Sequence, residues 1–183
     1  MPRRTFNEPG HAHELTFSCY ARHPFLRSER TCGWLAEAIE AARTKHQFEL
    51  WAYVFMPEHV HLIVYPANSR YEMRRILAGI KSPVSRRAID YLQSSNSAWL
   101  VKITRQRGTR TERLFWQSGG GYDRNITSGK TLLSMIEYLH LNPVRRGLVE
   151  RAVDWKWSSA LWFEHSTGPI PVDPIPWEWL NDR

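Results

Sequence analysis

The stretch YVFMPEHVHLIVYP, residues 53–66, decides the fold. On both sides of Pro57-Glu58 its residues are apolar, aromatic or β-branched, the composition of strands, and two strands joined by so short a connection make a β-hairpin. Side chains alternate along a strand, so His59 and His61 project from one face while Val60, Leu62 and Val64 project from the other. One face of a single strand therefore carries two imidazoles, roughly 6.5–7 Å apart along the chain. Its reverse carries core.

Upstream, HELTFSCY (13–20) reads as a first strand, followed by a helix with Ser28 as N-cap and an apolar stripe of Trp34, Leu35, Ala38, Ile39 and Ala42. Downstream, SRYEMRRILAGIKSPVSRRAIDYLQ reads as helix that Pro83 is expected to kink or break. Residues 94–113 are polar and basic and are expected to form a loop. LFWQSGGGYDRNI reads as a fourth strand broken by Gly119, Gly120 and Gly121. A further helix fits 128–141, starting near Ser128 and stopped by Asn142-Pro143. The order β-α-β-β-α-β-α predicts an α+β chain: a ferredoxin-like core with an antiparallel sheet and a C-terminal extension. A single domain is expected over 1–165, and a proline-rich, extended tail over 166–183.

With 183 residues, 42% of them hydrophobic, the chain can bury one real core. It has no run of about 18 apolar residues, so no membrane partner is expected. Its start, MPRRTFNEPGHAHE, lacks the apolar centre of a signal peptide. Cys19 and Cys32 have neither CxxC nor zinc spacing and read as reduced, buried thiols. The expected location is the cytoplasm, in association with the nucleoid. Twenty-five Lys and Arg against 18 Asp and Glu give a formal charge of +7, and there are nine Trp. Cations meet phosphates and rings stack on bases, so the composition favours a polyanionic partner.

Two histidines at i, i+2 on a strand can ligate one divalent cation if a third ligand comes from elsewhere. An isolated His-x-His is more often two half-buried, hydrogen-bonded histidines, and His11-Ala12-His13 is given no role on that ground. The pair at 59 and 61 differs because MIEYLHLNPVRRG (135–147) supplies a matching set. On that helix Leu132, Ile136 and Leu139 form the buried stripe, Tyr138 falls to one side, and Asn142 lies one turn further on nearly the same face. A metal on His59, His61 and the Asn142 carbonyl would polarise a phosphodiester, with Tyr138 as nucleophile. A phenol of pKa about 10 is a poor nucleophile unless a nearby cation stabilises phenolate. Read alone, Tyr138 is better taken as a helix-edge tyrosine and Asn142 as a cap before Pro143.

Together these segments resemble a known family. MPEHVHLIVYP is similar to the HUH motif (His, hydrophobic, His) of single-strand DNA transposases and relaxases. YLHLNPVRRGLV followed by DWKWSSA, and FWQSGGGYDRNI, resemble the REP-associated tyrosine transposases, an insertion-sequence branch with one catalytic tyrosine. The resemblance is best over residues 48–162. It implies a ferredoxin-like fold, a Mg²⁺ or Mn²⁺ cofactor, and nicking and rejoining of single-stranded DNA beside hairpins (repetitive palindromic elements) through a 5′-phosphotyrosine intermediate. It puts the metal on His59, His61 and Asn142, where insertion-sequence relatives often have Gln at the last position, and the nucleophile on Tyr138. No second catalytic tyrosine is matched: Tyr91 and Tyr122 lie outside that helix.

DNA contact is expected from Lys81, Arg86 and Arg87 on the interrupted helix, Arg105, Arg107 and Arg110 in the predicted loop, and Arg124 beside the glycines, which mark a bulge or admit a DNA backbone. The expected partner is single-stranded or hairpin DNA, with the oligomeric state, monomer or dimer, left open. The alternative is a catalytically idle hairpin-DNA binding protein, against which the retained His59, His61, Tyr138 and Asn142 speak. An RNA-binding module on the same topology would need RNP-type aromatics where HVHLIVYP has histidines. A zinc hydrolase would need an HExxH or cysteine set that is missing.

Overall fold

The computed structural model describes residues 7–181. The expected domain and tail thus extend beyond it at residues 1–6 and 182–183. In chain order come β1 (Ala12–Ser18), α1 (Glu29–His46), β2 (Phe48–Met56), β3 (His59–Pro66), α2 (Met73–Ser94), the short α3 (Trp99–Lys102), β4 (Thr104–Arg107), β5 (Arg110–Arg113), β6 (Tyr122–Ile126), α4 (Gly129–Arg145), α5 (Ala160–His165) and α6 (Trp177–Asn181). The hairpin is as expected: β2 and β3 pair antiparallel, with Met56 opposite His59 across Pro57-Glu58. The main sheet runs β2-β3-β1-β6, with every neighbouring pair antiparallel. That order follows from two β-α-β crossovers joined by a hairpin, and it makes the core ferredoxin-like.

Helices α1 and α2 cover one face. Leu15, Phe17, Tyr53, Phe55, Val60, Leu62 and Val64 pack there with Leu35 and Ile39 of α1 and Ile76, Ile80 and Val84 of α2. The other face packs Ala52, Val54, Met56, Ile63 and Ile126 against Leu132, Ile136 and Leu139 of α4. Strand β2 can serve both faces because its register shifts between Leu50 and Ala52, a bulge that keeps Phe48 and Leu50 facing α1 and α2 as Tyr53 and Phe55 do. Buried side chains on both faces offset the conformational entropy of ordering the hairpin.

Four expectations need correction. Helix α2 runs unbroken through Pro83, because Ile76, Leu77 and Ile80 before it and Val84 and Ala88 after it are all buried in one core. Helix α4 likewise passes Asn142-Pro143 and ends at Arg145. Its stop is Gly147, left-handed at φ 64°, with Gly147 N–H donating to the Val144 carbonyl and Leu148 N–H to that of Pro143. The predicted loop at 94–113 contains α3 and the β4–β5 ribbon, which turns at Gly108 (φ 60°).

The tail, expected to be extended, closes with α6 and packs along the outer edge of β2. Asp173 and Leu50 exchange hydrogen bonds of 2.8 Å, Ile170 is fully buried, and the Trp179 ring stands edge-on to Trp51 at 5.2 Å. Among the described residues no helix is long and apolar enough to cross a membrane.

Candidate functional site

Where β1 and β3 run side by side, the face under α4 turns polar: Thr16 lies opposite His61, and Ser18 opposite His59. The two imidazoles converge, with Nε2 atoms 3.1 Å apart and rings at 80°. Each outer nitrogen is engaged from behind. His59 Nδ1 is 3.0 Å from Glu58 Oε1, and His61 Nδ1 is 2.8 Å from Thr16 Oγ1, with Glu14 at 3.8 Å. Burial, with His61 alongside, pushes the His59 imidazole down to about 4 against the pull of Glu58. His59 is therefore neutral at pH 7, with its Nδ1 proton donated to Glu58 and its Nε2 lone pair turned inward.

Helix α4 carries the rest. Its buried stripe seats it on Ile63 and Val54, which leaves Tyr138 47% exposed with its ring 6.4 Å from that of His61. Two turns on, Arg146 reaches Glu58 with one nitrogen at 2.6 Å and the other at 3.5 Å. Asn142 is spaced four residues from each and so lies on the same helix face, about 6 Å along the axis from either. It is buried at 9% exposure, and its Nδ2 has no hydrogen-bond partner. Burial would raise the Glu58 carboxyl, but Arg146 and His59 hold it below its ordinary value.

Tyr138 and His61 border a cleft of about 1050 Å³, whose opposite wall is Lys81 and the glycines 119–121. Lys81 donates to the Gly119 carbonyl at 2.9 Å, and burial lowers its pKa. No carboxylate pairs with it among the described residues. Gly121 (φ 81°) lies so close to β1 that a Cβ there would stand 2.2 Å from the Thr16 carbonyl oxygen. A smaller cleft of about 440 Å³ joins Tyr138 to Glu14, Arg124 and Lys130. Of the basic residues singled out in the sequence, Lys81 and Arg124 thus line clefts that Tyr138 also borders.

The others lie elsewhere. Arg87 pairs with Glu37 and stacks over Trp34, so it serves the α1–α2 contact. Arg86 is exposed on α2. Arg105 and Arg107 both reach Glu112 across the ribbon, at 2.7 and 3.8 Å, and Arg110 is exposed at its tip. Sequence reasoning passed over Thr16, Glu14, Glu58 and Arg146. Glu58, next to His59, and Arg146, four residues after Asn142, lay within the segments already singled out; Thr16 and Glu14 reach the site from β1.

The donor set fits a divalent cation. Ligand bonds of about 2.1 Å set two donors about 3.0 Å apart in an octahedron and somewhat further apart in a tetrahedron, which brackets the Nε2 separation. Among the described residues no three His, Cys, Asp or Glu side chains converge. A neutral amide such as Asn142, together with oxygens of the substrate, would complete the shell. Two imidazoles suit Mn²⁺ better than Mg²⁺, which prefers oxygen.

A family model described as Transposase IS200 like matches residues 10–142, a span that ends on Asn142 and includes both histidines and Tyr138. A curated protein of Haemophilus influenzae, provisionally named a REP-associated tyrosine transposase, is 28% identical over 144 residues, 72% of this chain and 73% of its own length. The solved structure of a REP-associated tyrosine transposase bound to a REP hairpin superposes with a TM-score of 0.67, covering 96% of this chain and 92% of that one. At 19% identity this is a likeness of fold.

Proposed function

The chain belongs to the IS200-like transposase family, and from that premise we propose that it nicks and rejoins single-stranded DNA beside hairpins of the REP kind, with Tyr138 as nucleophile. The observation that carries the reading is the pair of imidazoles meeting at Nε2 directly beside the exposed Tyr138. The solved relative's hairpin supports the choice of DNA.

His59, His61 and Asn142 would hold Mg²⁺ or Mn²⁺, which when bound draws charge from the non-bridging phosphate oxygens. The chain's own residues do the rest. Lys81 and Arg124, each lining a cleft that Tyr138 also borders, place the scissile phosphate by its charge. The Tyr138 oxygen attacks phosphorus as the bond to the upstream 3′-oxygen breaks. The phenolic proton is lost and the departing oxygen gains one, leaving a 3′-hydroxyl and a 5′-phosphotyrosyl link. Attack by a 3′-hydroxyl reverses the exchange. One phosphodiester replaces another, so rejoining needs no energy cofactor.

The reading is tested with hairpin oligonucleotides labelled at either end, incubated with Mn²⁺ or Mg²⁺. A 3′-label that becomes protein-bound while a 5′-label is released supports it, and Mn²⁺ should act at the lower concentration. Hairpin binding with neither product nor adduct, under either metal, would favour the idle binding protein.

A further inference from the structure

Resting on the metal reading above, we propose that Glu58 is a positioning residue that serves both halves of the site through one carboxylate. Its Oε1 accepts from His59 Nδ1 at 3.0 Å and from Arg146 at 2.6 Å, and Arg22 stands 3.9 Å away. The side chain is nearly enclosed, at 11% exposure, and the Glu58 backbone carbonyl is pinned by Cys19 N–H at 2.9 Å. It sits in the two-residue turn immediately before His59, where the backbone has little room to move.

Two consequences follow from one group. The bond to His59 fixes the tautomer in which Nδ1 bears the proton, so the Nε2 lone pair faces His61; a carboxylate behind a histidine also makes that histidine a stronger donor. The bond to Arg146 ties the last turn of α4 to the hairpin. Arg146 N–H donates to the Asn142 carbonyl, so this tether holds the turn that bears Asn142, one turn beyond Tyr138. The carboxylate touches neither cation nor phosphate. It sets where their ligands stand.

The test is Mn²⁺ affinity, read from the free-ion electron paramagnetic resonance signal, beside melting curves and metal-free hairpin binding. Glu58→Gln should weaken Mn²⁺ about 10-fold and Glu58→Ala about 100-fold, with hairpin binding within about twofold of wild type. Arg146→Gln keeps the His59 bond but frees the turn that bears Asn142, so Mn²⁺ affinity should fall by less than in Glu58→Ala, while the adduct forms about tenfold more slowly at saturating Mn²⁺. Wild-type Mn²⁺ affinity in both Glu58 variants, with or without a lowered melting temperature, would overturn the positioning role while leaving the metal reading intact. A wild-type rate of adduct formation in Arg146→Gln would remove the tether. His59→Ala and His61→Ala variants that bind Mn²⁺ as wild type does would overturn the metal reading and this proposal together.

Discussion

Two His-x-His pairs with identical spacing have opposite fates in this fold, and the difference is which face of the sheet each reaches. His59 and His61 point toward α4, and His61 opens onto the cleft. His13 points into the opposite face, fully buried, with Nδ1 2.7 Å from Asp123 and Nε2 2.6 Å from the Tyr71 hydroxyl. That chain spans 110 residues, from β1 to β6, and no local pattern announces it. The sequence reading gave His13 no role at the site, and it lies on the face away from it, but it has a structural one. Asp123 Oδ2 already lacks a partner. Removing His13 would leave the whole carboxylate stranded, so His13→Ala is expected to cost about 3 kcal/mol in urea denaturation. A change below about 0.5 kcal/mol would mean that the pair contributes nothing net.

Elements were legible where one signal dominated and misread where packing overruled it. The hairpin, α1 and the Ser128 start of α4 followed from alternation, periodicity and capping. Pro83 was expected to kink or break its helix and Asn142-Pro143 to stop another, yet both helices continue through these prolines because buried residues on either side hold the turn. The true end of α4 lay in plain view as Arg-Arg-Gly-Leu, where Gly147 supplies the left-handed residue. The ribbon went unrecognised because Thr104–Arg113 offers no apolar face, the usual mark of a strand. The glycines between Trp116 and β6 show the reverse: Gln117 N–H still bonds the Ser18 carbonyl, and pairing resumes at Tyr122, so the strand is broken where the glycines were expected to break it. Gly121→Ala would force a Cβ onto the Thr16 carbonyl. Since Thr16 holds His61, the variant should bind hairpin DNA but form adduct at least tenfold more slowly. A wild-type rate would detach the glycine loop from the site.

At the scale of the molecule, positive charge is spread well beyond the cleft, and the two deployments should separate experimentally. Lys81 and Arg124 line the two clefts that Tyr138 borders, whereas Arg107 and Arg110 lie on a ribbon that lines neither. Phosphate contacts release counterions, so hairpin affinity should fall steeply with salt, and Arg107→Ala with Arg110→Ala should flatten that slope by one to two contacts while sparing adduct yield at saturating DNA. An unchanged slope would place the DNA elsewhere. The central claim is that Tyr138 forms the covalent link. Tyr122 also borders the larger cleft and is 38% exposed, so it is the structural rival, while Tyr91 packs against Trp34 and Arg30. Tyr138→Phe keeps the ring and the guanidinium of Arg145 above it, so hairpin binding should persist. The decisive measurement is peptide mapping by mass spectrometry of an adduct trapped with a hairpin oligonucleotide and Mn²⁺. The account predicts DNA on the peptide carrying Tyr138 and no adduct from Tyr138→Phe; DNA on the peptide carrying Tyr122, or an undiminished adduct from that variant, would contradict it.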